Sequence, residues 1–209
     1  MKIGIIGATG KQGNLLLHEA VNRHIDVVAI VRDHSKLTLD VPYLERDLVD
    51  LSTDDIGDLD VLVSAFGAPV GKADEYPLVM QHLIDITTHT SIRLMVVGGA
   101  GSLFTDSNKT MRRYDAADFP VVVRPISVSM GSALTLLQKS DDLHWTYISP
   151  ADNFKFEGKK TGRYKLGGDV MVFDTDGKSE ISYADYAAAF MDELQQPQHL
   201  NEHISVVSA

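Results

Sequence analysis

Short apolar runs alternate along the chain with longer amphipathic stretches. The apolar runs predict strands at 2–6, 26–31, 43–46, 60–64, 92–97, 145–148 and 204–207. The periodicity between them predicts helices at 12–23, 73–90, 127–140 and 183–194, and an irregular, mobile loop remains at 102–123. Strands that alternate with helices in this way are typical of βα units joined into a parallel sheet. We therefore expect an α/β fold built on a doubly wound parallel sheet.

The first predicted strand ends in a glycine-rich turn. After the apolar residues Ile3, Ile5 and Ile6, the sequence reads GATGKQG over residues 7–13 and then enters the first helix. A helix N-terminus offers unpaired backbone N–H groups and a partial positive charge to a phosphate. Glycine lets the chain turn tightly and lie close to a ligand. The turn therefore predicts a Rossmann-type sheet that binds a dinucleotide at its carboxyl edge.

The end of the second strand indicates which dinucleotide is bound. An acidic residue at this position binds the ribose 2′-hydroxyl of NAD in related folds. Here the strand ends in Arg32, with Lys36 close behind. A guanidinium can stack on adenine and contact a 2′-phosphate, and a lysine adds charge, so we predict that NADP(H) is preferred over NAD(H). Asp33 leaves NAD(H) open, and Arg32 can also be read as a solvated residue at a strand end.

Two further strands end in small residues. Ala65, Phe66 and Gly67 follow the strand at 60–64, and the segment 98–102 follows the next strand. Because open α/β sheets bind ligands at the carboxyl ends of their strands, we expect both turns to line the dinucleotide site. The alternative is that each is simply a tight turn between a strand and a loop.

The tyrosines argue against one common mechanism. Short-chain dehydrogenases that reduce carbonyls use a tyrosine with a lysine four residues later, and none of the seven tyrosines here is followed by lysine at that spacing. The acceptor should therefore need little general-acid help. A flavin fits, because its N5 takes a hydride and solvent can supply the proton, so that positioning is most of the catalysis. FMN or FAD is the expected substrate, and a quinone-like acceptor is possible.

The segments 7–13, 64–67 and 98–102, together with Arg32, resemble the atypical short-chain dehydrogenase/reductase group. The sequence LHWTYISPA at 143–151 resembles the L-D-W-T-x-x-x-P segment of its NmrA-like and flavin-reductase-like members. The sequences TGRYKLGGD and ISYADYA, which begin at Thr161 and Ile181, are similar to a bacterial branch named for NADH-flavin reductases and related to biliverdin-IXβ/flavin reductases. The resemblance extends over nearly the whole chain and implies a Rossmann fold and an NAD(P)H cofactor.

The resemblance also implies roles for individual positions. The pyrophosphate would bind Gly7, Thr9, Gly10, Lys11, Gln12 and Gly13. The adenosine would lie against Arg32, Lys36, Ala65, Phe66 and Gly67. The nicotinamide would lie between Gly98 and Gly99 on one side and Pro150 and Ala151 on the other, with Ser102 as the catalytic residue. The biliverdin-reductase relatives carry a histidine after the proline, and because this chain has Ala151 there, we do not expect a specific proton donor at that point.

Composition narrows the remaining possibilities. The net charge of −10 argues against binding to nucleic acid or to an anionic membrane surface. No apolar run is long enough to span a bilayer, the start of the chain does not read as a secretory signal, and there are no cysteines, so we expect a cytoplasmic protein. The histidines lack a metal-binding spacing, so no metal is expected. The length of 209 residues fits one domain spanning 1–209, with a small C-terminal elaboration at about 151–179.

Two functions fit these observations. The first is an NAD(P)H-dependent reductase that passes hydride to a free flavin or a quinone-like small molecule. The alternative is a non-catalytic NmrA-type redox sensor that binds NADP(H) and acts through a protein partner.

Arg112 and Arg113, in the loop at 102–123, could hold an FMN phosphate or lie on a plain surface loop. The protein is expected to be a monomer or a homodimer.

Overall fold

The computed structural model describes residues 1–69 and 71–209, and these follow the predicted alternation of strands and helices. The strands are β1 (Lys2–Ile6), β2 (Asp26–Val31), β3 (Tyr43–Glu45), β4 (Val61–Ser64), β5 (Arg93–Val97), β6 (His144–Pro150), β7 (Asn153–Lys155), β8 (Tyr164–Gly167), β9 (Glu180–Ser182) and β10 (Glu202–Ser208). The helices are α1 (Lys11–Asn22), α2 (Thr53–Ile56), α3 (Glu75–Thr87), α4 (Arg124–Gln138) and α5 (Tyr183–Gln195).

Eight of these strands form one twisted sheet in the order β3-β2-β1-β4-β5-β6-β10-β8. Every pairing in it is parallel except that of β8 with β10. The chain first builds outward from β1 to β3, then returns to the other side of β1 and continues with β4. This reversal between β1 and β4 confirms the predicted doubly wound sheet, and it opens a crevice at the carboxyl ends of the two strands.

The core lies on both faces of this sheet. On one face, Leu16 and Leu17 of α1 and Phe190 of α5 pack with strand residues such as Ile5, and all four are fully buried. On the other face, α3 and α4 pack over β4, β5 and β6. The central strands are therefore buried on both sides, which is why they appear in the sequence as continuous apolar runs.

The predicted C-terminal elaboration contains strands that the periodicity did not show. β7 and β9 form a separate two-stranded parallel sheet, and β8 joins the edge of the main sheet. The turn between β7 and β8 is held by the buried carboxylate of Asp185, which accepts hydrogen bonds from the backbone N–H groups of Thr161 at 2.8 Å and Gly162 at 2.7 Å. Because Asp185 lies in the first turn of α5, the elaboration is fixed against the main sheet.

The segment 102–123, predicted as an irregular, mobile loop, contains local structure. Phe104 forms isolated bridges with Arg112 and Val170, and its backbone N–H donates to the carbonyl of Asp169 at 2.8 Å. Arg124 donates to the carbonyl oxygens of Ala116 and Phe119. The segment is therefore less irregular than the sequence indicates, and its mobility stays a prediction.

In the part of the chain that the structure describes, no helix has both the length and the apolar surface that crossing a bilayer would require.

Candidate functional site

A cleft of about 890 Å³ opens where the sheet reverses direction between β1 and β4. Such a volume is in the range of small-molecule and cofactor sites. Ten of the residues singled out from the sequence line it: Gly7, Thr9, Gly10, Lys11, Gln12, Arg32, Ala65, Phe66, Gly67 and Gly98. The ends of β1, β2, β4 and β5 therefore meet at one cleft, as the rule for open α/β sheets predicts.

The glycine-rich turn forms the floor of this cleft. Gly7 adopts a positive φ of 75°, which side chains other than hydrogen disfavour, and its N–H donates to the carbonyl of Ile30 at 3.2 Å. The N–H of Gly10 then donates to the carbonyl of Gly7 at 2.8 Å. Helix α1 begins at the next residue, Lys11, and no acidic residue lies in its first turn. The positive end of the helix dipole therefore faces the cleft without a neutralising carboxylate of its own.

The backbone segments at this turn can pack so closely only because its glycines lack side chains. A Cβ on Gly13 would lie 2.1 Å from the carbonyl oxygen of Gly7, and a Cβ on Gly7 would lie 2.7 Å from the carbonyl oxygen of Ala65. The side chain of Gln12 is also directed to this region, and its Oε1 is buried without a hydrogen-bond partner in the described residues. These features fit a cradle for the pyrophosphate of a nicotinamide dinucleotide.

Arg32 lies at the β2 end of the cleft and makes no ion pair with the described residues. The neighbouring Asp33 is engaged by its own turn. Its carboxylate accepts from the hydroxyl of Ser35 at 2.5 Å and pairs with Nζ of Lys36 at 3.1 Å. The hydroxyl of Ser35, followed by Lys36, lowers the pKa of Asp33. Among the described residues, Arg32 is thus the cation at this end that lies in the cleft lining and is free of an ion pair, since Arg46 pairs with Asp55.

Several lining residues were not found from the sequence. Arg46 and Asp47 follow β3 and line the cleft near Arg32. They obey the same strand-end rule, which could have identified them. Phe154 and Tyr183 also line it, and their rings stack with centroids 3.8 Å apart. These two aromatic residues meet only because β7 pairs with β9, so no local sequence signal shows them together.

The other end of the cleft lies at Gly98, directly above the ring of Tyr147. A Cβ on Gly98 would lie 2.3 Å from Cε1 of that ring. Burial raises the pKa of the Tyr147 phenol well above its ordinary value, and the nearby Ser102 hydroxyl and Gly99 backbone offset this only in part. The phenol oxygen itself meets no partner at hydrogen-bonding geometry among the described residues. Tyr147 is therefore a poor proton donor at neutral pH.

Ser102 lies just behind this end of the cleft rather than in its lining. Its side chain is 1% exposed, and its hydroxyl donates to the carbonyl oxygen of Gly99 at 2.9 Å. The hydroxyl of Ser149 donates to the same oxygen at 2.9 Å. Five other predicted positions likewise stand outside the lining, namely Gly13, Lys36, Gly99, Pro150 and Ala151. The contacts of these six residues with a ligand stay predictions.

The two arginines of the segment 102–123 have different environments. Arg113 is held by two carboxylates, Asp118 at 2.7 Å and Asp152 at 3.0 Å. Its charge is thereby neutralised, which leaves it unsuited to holding a phosphate. Arg112 instead donates to the carbonyl oxygen of Ser102. The two residues are adjacent in the sequence, but their side chains have different partners in the structure.

Among the described residues, no group of three or more histidine, aspartate or glutamate side chains is placed to hold a metal ion.

The comparisons with known proteins agree with this geometry. A family model described as NAD(P)H-binding matches residues 7–197. YwnB of Bacillus subtilis, an uncharacterized protein, is 47% identical over 212 residues, which cover 100% of this chain and 99% of YwnB. The crystal structure of a Streptococcus pneumoniae protein provisionally described as an NADH-flavin reductase has a TM-score of 0.96, with 38% identity and 100% coverage of both chains. A Bacteroides thetaiotaomicron protein provisionally described as an epimerase has a TM-score of 0.87 and 36% identity, covering 99% of this chain and 96% of its own.

Proposed function

This chain belongs to the NAD(P)H-binding family, and we propose that it passes hydride from NADPH to a free flavin or a quinone-like acceptor. The family match and the doubly wound sheet confirm the resemblance to the atypical short-chain dehydrogenase/reductase group. The chain is an NAD(P)-binding oxidoreductase of the flavin-reductase-like kind. The acceptor and the preference between the two nicotinamide cofactors are the parts that we propose.

The observation that carries the proposal is the continuity of the cleft from Arg32 to Gly98. Its glycine floor, at 7–13, lies between these two ends. A dinucleotide whose pyrophosphate rests on that floor would reach Arg32 with its adenosine and Gly98 with its nicotinamide. When bound, a reduced nicotinamide supplies a hydride at the Gly98 end. The chain's contribution is to hold that ring and the acceptor in line and to exclude water between them.

Arg32 is the residue that we assign to cofactor selection. Its guanidinium is free of ion pairs in the described residues, and Asp33, the next residue in the sequence, is occupied by Ser35 and Lys36. A planar guanidinium can bind a 2′-phosphate through two parallel hydrogen bonds. These contacts support NADPH over NADH. Lys36 would contribute less than Arg32, since its ammonium is already paired with Asp33.

The chemistry near Gly98 favours an acceptor that needs no proton from the protein. Two tyrosines lie near this end, Tyr76 in the cleft lining and Tyr147 beneath Gly98, and burial raises the pKa of each phenol. No lysine follows either residue at the spacing that short-chain dehydrogenases use, since the residues four positions on are Met80 and Ala151. Reduction of a simple ketone, or the oxidation that starts sugar epimerisation, requires such a proton relay. A flavin or a quinone-like molecule does not, because the charge that develops on it is delocalised and solvent can protonate it.

A non-catalytic redox sensor, the alternative that the sequence leaves open, has no observation in its favour in the comparisons or the described residues. The relative from Streptococcus pneumoniae, provisionally described as an NADH-flavin reductase, supports the catalytic function instead.

The test is nicotinamide oxidation by purified protein without oxygen, with FMN, FAD and a simple naphthoquinone as separate acceptors and with NADPH and NADH in parallel. Saturable, protein-dependent oxidation with at least one acceptor supports the proposal, and the ratio of the two cofactors tests Arg32. A protein that binds NADPH in a direct titration but oxidises it with none of these acceptors would contradict the proposal.

A further inference from the structure

Three cationic residues lie in the segment 102–123, which follows the turn at 98–102 and stands outside the cleft lining itself. They are Lys109, Arg112 and Arg113, and they differ in their partners. Lys109 pairs with Asp169 at 2.9 Å, and Arg113 pairs with both Asp118 and Asp152. Arg112 makes no ion pair within the described part of the chain. It is therefore the member of this group, among the described residues, whose charge is not balanced by a carboxylate.

Arg112 is nevertheless held firmly in place. Its guanidinium lies 3.6 Å from the centroid of the Phe104 ring, which is a close cation–π contact. One of its nitrogens donates to the carbonyl oxygen of Ser102. A guanidinium has five N–H donors, so this arrangement leaves others free for a ligand. The side chain is half-buried, and partial burial strengthens any electrostatic interaction that it makes.

The positive charge of Arg112 affects the pKa values of two buried side chains near the turn at 98–102. Burial is the main reason that the pKa of His203 falls to about 3, and the positive charge of Arg112 lowers it further. The same charge acts against the rise in the pKa of the Tyr147 phenol that burial causes. The ring of Tyr147 lies directly under Gly98, whereas His203 is linked to the turn at 98–102 only through Ser149. His203 bonds to the hydroxyl of Ser149 at 2.8 Å, and that hydroxyl donates to the carbonyl oxygen of Gly99.

The position of Arg112 matters because the acceptor must bind over the same turn, at 98–102. If the adenosine occupies the Arg32 end of the cleft, the reacting ring of the cofactor lies at the Gly98 end. Hydride transfer requires the donor and acceptor atoms to be about 3–3.5 Å apart, so the acceptor lies over the same turn. Arg112 is anchored on that turn through Ser102.

We propose that Arg112 is the residue that stabilises the negative charge of the reduced acceptor. Hydride adds to the acceptor with its electron pair, which forms the new bond at flavin N5 and places negative charge on the N1 and C2 carbonyl edge. A fixed guanidinium beside that edge favours the charged product and the transition state leading to it, and solvent later supplies the proton. The inference rests on the proposed reductase function and narrows its substrates to acceptors whose reduced form is an anion.

The test compares Arg112→Gln and Arg112→Lys with the wild type. Glutamine can still donate to the Ser102 carbonyl but carries no charge, whereas lysine keeps the charge. Lys109→Gln is the matched control, because Lys109 approaches the same Phe104 ring at 6.0 Å but is neutralised by Asp169. Circular dichroism and thermal unfolding of each variant establish that it is folded.

The first readout needs no nicotinamide. The dissociation constants of oxidised FMN and of photoreduced FMN are measured without oxygen for each protein. We expect the wild type to bind the reduced form more tightly, and we expect this preference to fall roughly tenfold to a hundredfold in Arg112→Gln, the range for a hydrogen bond to a charged group. Arg112→Lys should keep most of the preference, and Lys109→Gln should keep all of it.

The second readout is turnover with FMN. We expect kcat/KM for FMN to fall by a similar factor in Arg112→Gln, with little change in the KM for NADPH. A folded Arg112→Gln variant that matches the wild type in both readouts would overturn the role of Arg112 and leave the reductase function intact. A wild-type protein that fails to oxidise NADPH with any of the acceptors tested would instead contradict the proposed function itself.

Discussion

The position that a Cβ would take on Gly13 lies 2.1 Å from the carbonyl oxygen of Gly7. The first turn of α1 and the end of β1 are thus in direct backbone contact. This contact brings the N-terminus of the helix up to the floor of the cleft, and it sets the height at which a pyrophosphate would rest. Any side chain at position 13 must push the helix and the strand apart, because neither backbone can yield locally.

Gly13→Ala should therefore weaken cofactor binding. We expect the displaced turn to weaken NADPH binding by about 1–3 kcal/mol, which corresponds to a rise in the dissociation constant of about fivefold to 160-fold. The measurement is a direct calorimetric titration. Gly168→Ala is the matched control, since no atom lies within 4 Å of the added Cβ, and it should bind like the wild type. Equal affinities for all three proteins would show that the contact does not shape the site.

Arg32→Gln should reduce the preference for NADPH. Loss of a charge-assisted contact to the 2′-phosphate should lower the NADPH-to-NADH ratio of kcat/KM by about tenfold to a hundredfold, mostly through NADPH. Lys36→Gln should have a smaller effect, because its ammonium is already 3.1 Å from a carboxylate oxygen of Asp33. An unchanged ratio in Arg32→Gln would assign cofactor selection to another residue, with Arg46 as the next candidate in the lining.

His203 should make the fold sensitive to acid. Burial is the main cause that lowers its pKa from 6.5 to about 3, so the native state keeps it neutral while the unfolded chain binds a proton below about pH 6.5. The unfolded state then holds more protons, and the free energy of unfolding should fall by up to about 1.4 kcal/mol per pH unit as the pH drops through this range. His203→Gln removes this contribution, so urea denaturation between about pH 7 and pH 4 should show a shallower loss of stability. Parallel curves for the two proteins would mean that His203 is not buried as a neutral group.

The buried ion pair of Arg93 and Glu193 should contribute to stability and not to cofactor binding. The two side chains are 8% and 1% exposed and lie 2.6 Å apart, at the amino end of β5 and away from the cleft. Burial alone would raise the pKa of Glu193, but hydrogen bonds from His199, the nearby backbone and Arg93 hold it below its ordinary value. Glu193→Gln leaves the guanidinium buried without its counter-charge, so we expect a loss of about 3–5 kcal/mol in the free energy of unfolding.

The control for that prediction is Glu180→Gln. Its pair with Lys155, at 2.7 Å, is more exposed and should contribute at most about 1 kcal/mol. Denaturant unfolding measures both losses, and NADPH titration should give wild-type affinity for both variants. A loss in Glu193→Gln no larger than that in Glu180→Gln would refute the assigned role of the buried pair.

The sequence predicted the central sheet well, for a physical reason. Strands such as β4 and β5 are covered by helices on both faces, so their residues must be apolar without interruption, and that pattern is visible locally. β7, β8 and β9 are short and partly exposed, and they lack this pattern. Their pairing depends on contacts such as that of Asp185 with Thr161, which join residues distant in the sequence.

Some residues of the candidate site could likewise be predicted from local sequence, and others could not. Residues that follow a buried strand directly, such as Gly7, Arg32 and Gly98, could be placed at the cleft from the sequence because parallel strands end at one edge. Phe154 could not, since the pairing of β7 with β9 brings it there. Nor could the sequence distinguish Arg112 from Arg113, because the difference lies in whether distant carboxylates reach each of them.

The most direct test of the account is a single turnover without oxygen, with the protein in excess over equimolar NADPH and FMN. Nicotinamide and flavin absorbance are followed together, and Gly13→Ala serves as the protein with an impaired cradle. For the wild type, we predict that the NADPH and FMN absorbances fall in parallel, mole for mole. For Gly13→Ala, we predict that both fall more slowly. Flavin absorbance that does not change while NADPH is bound would contradict the central claim that this cleft delivers hydride to a flavin.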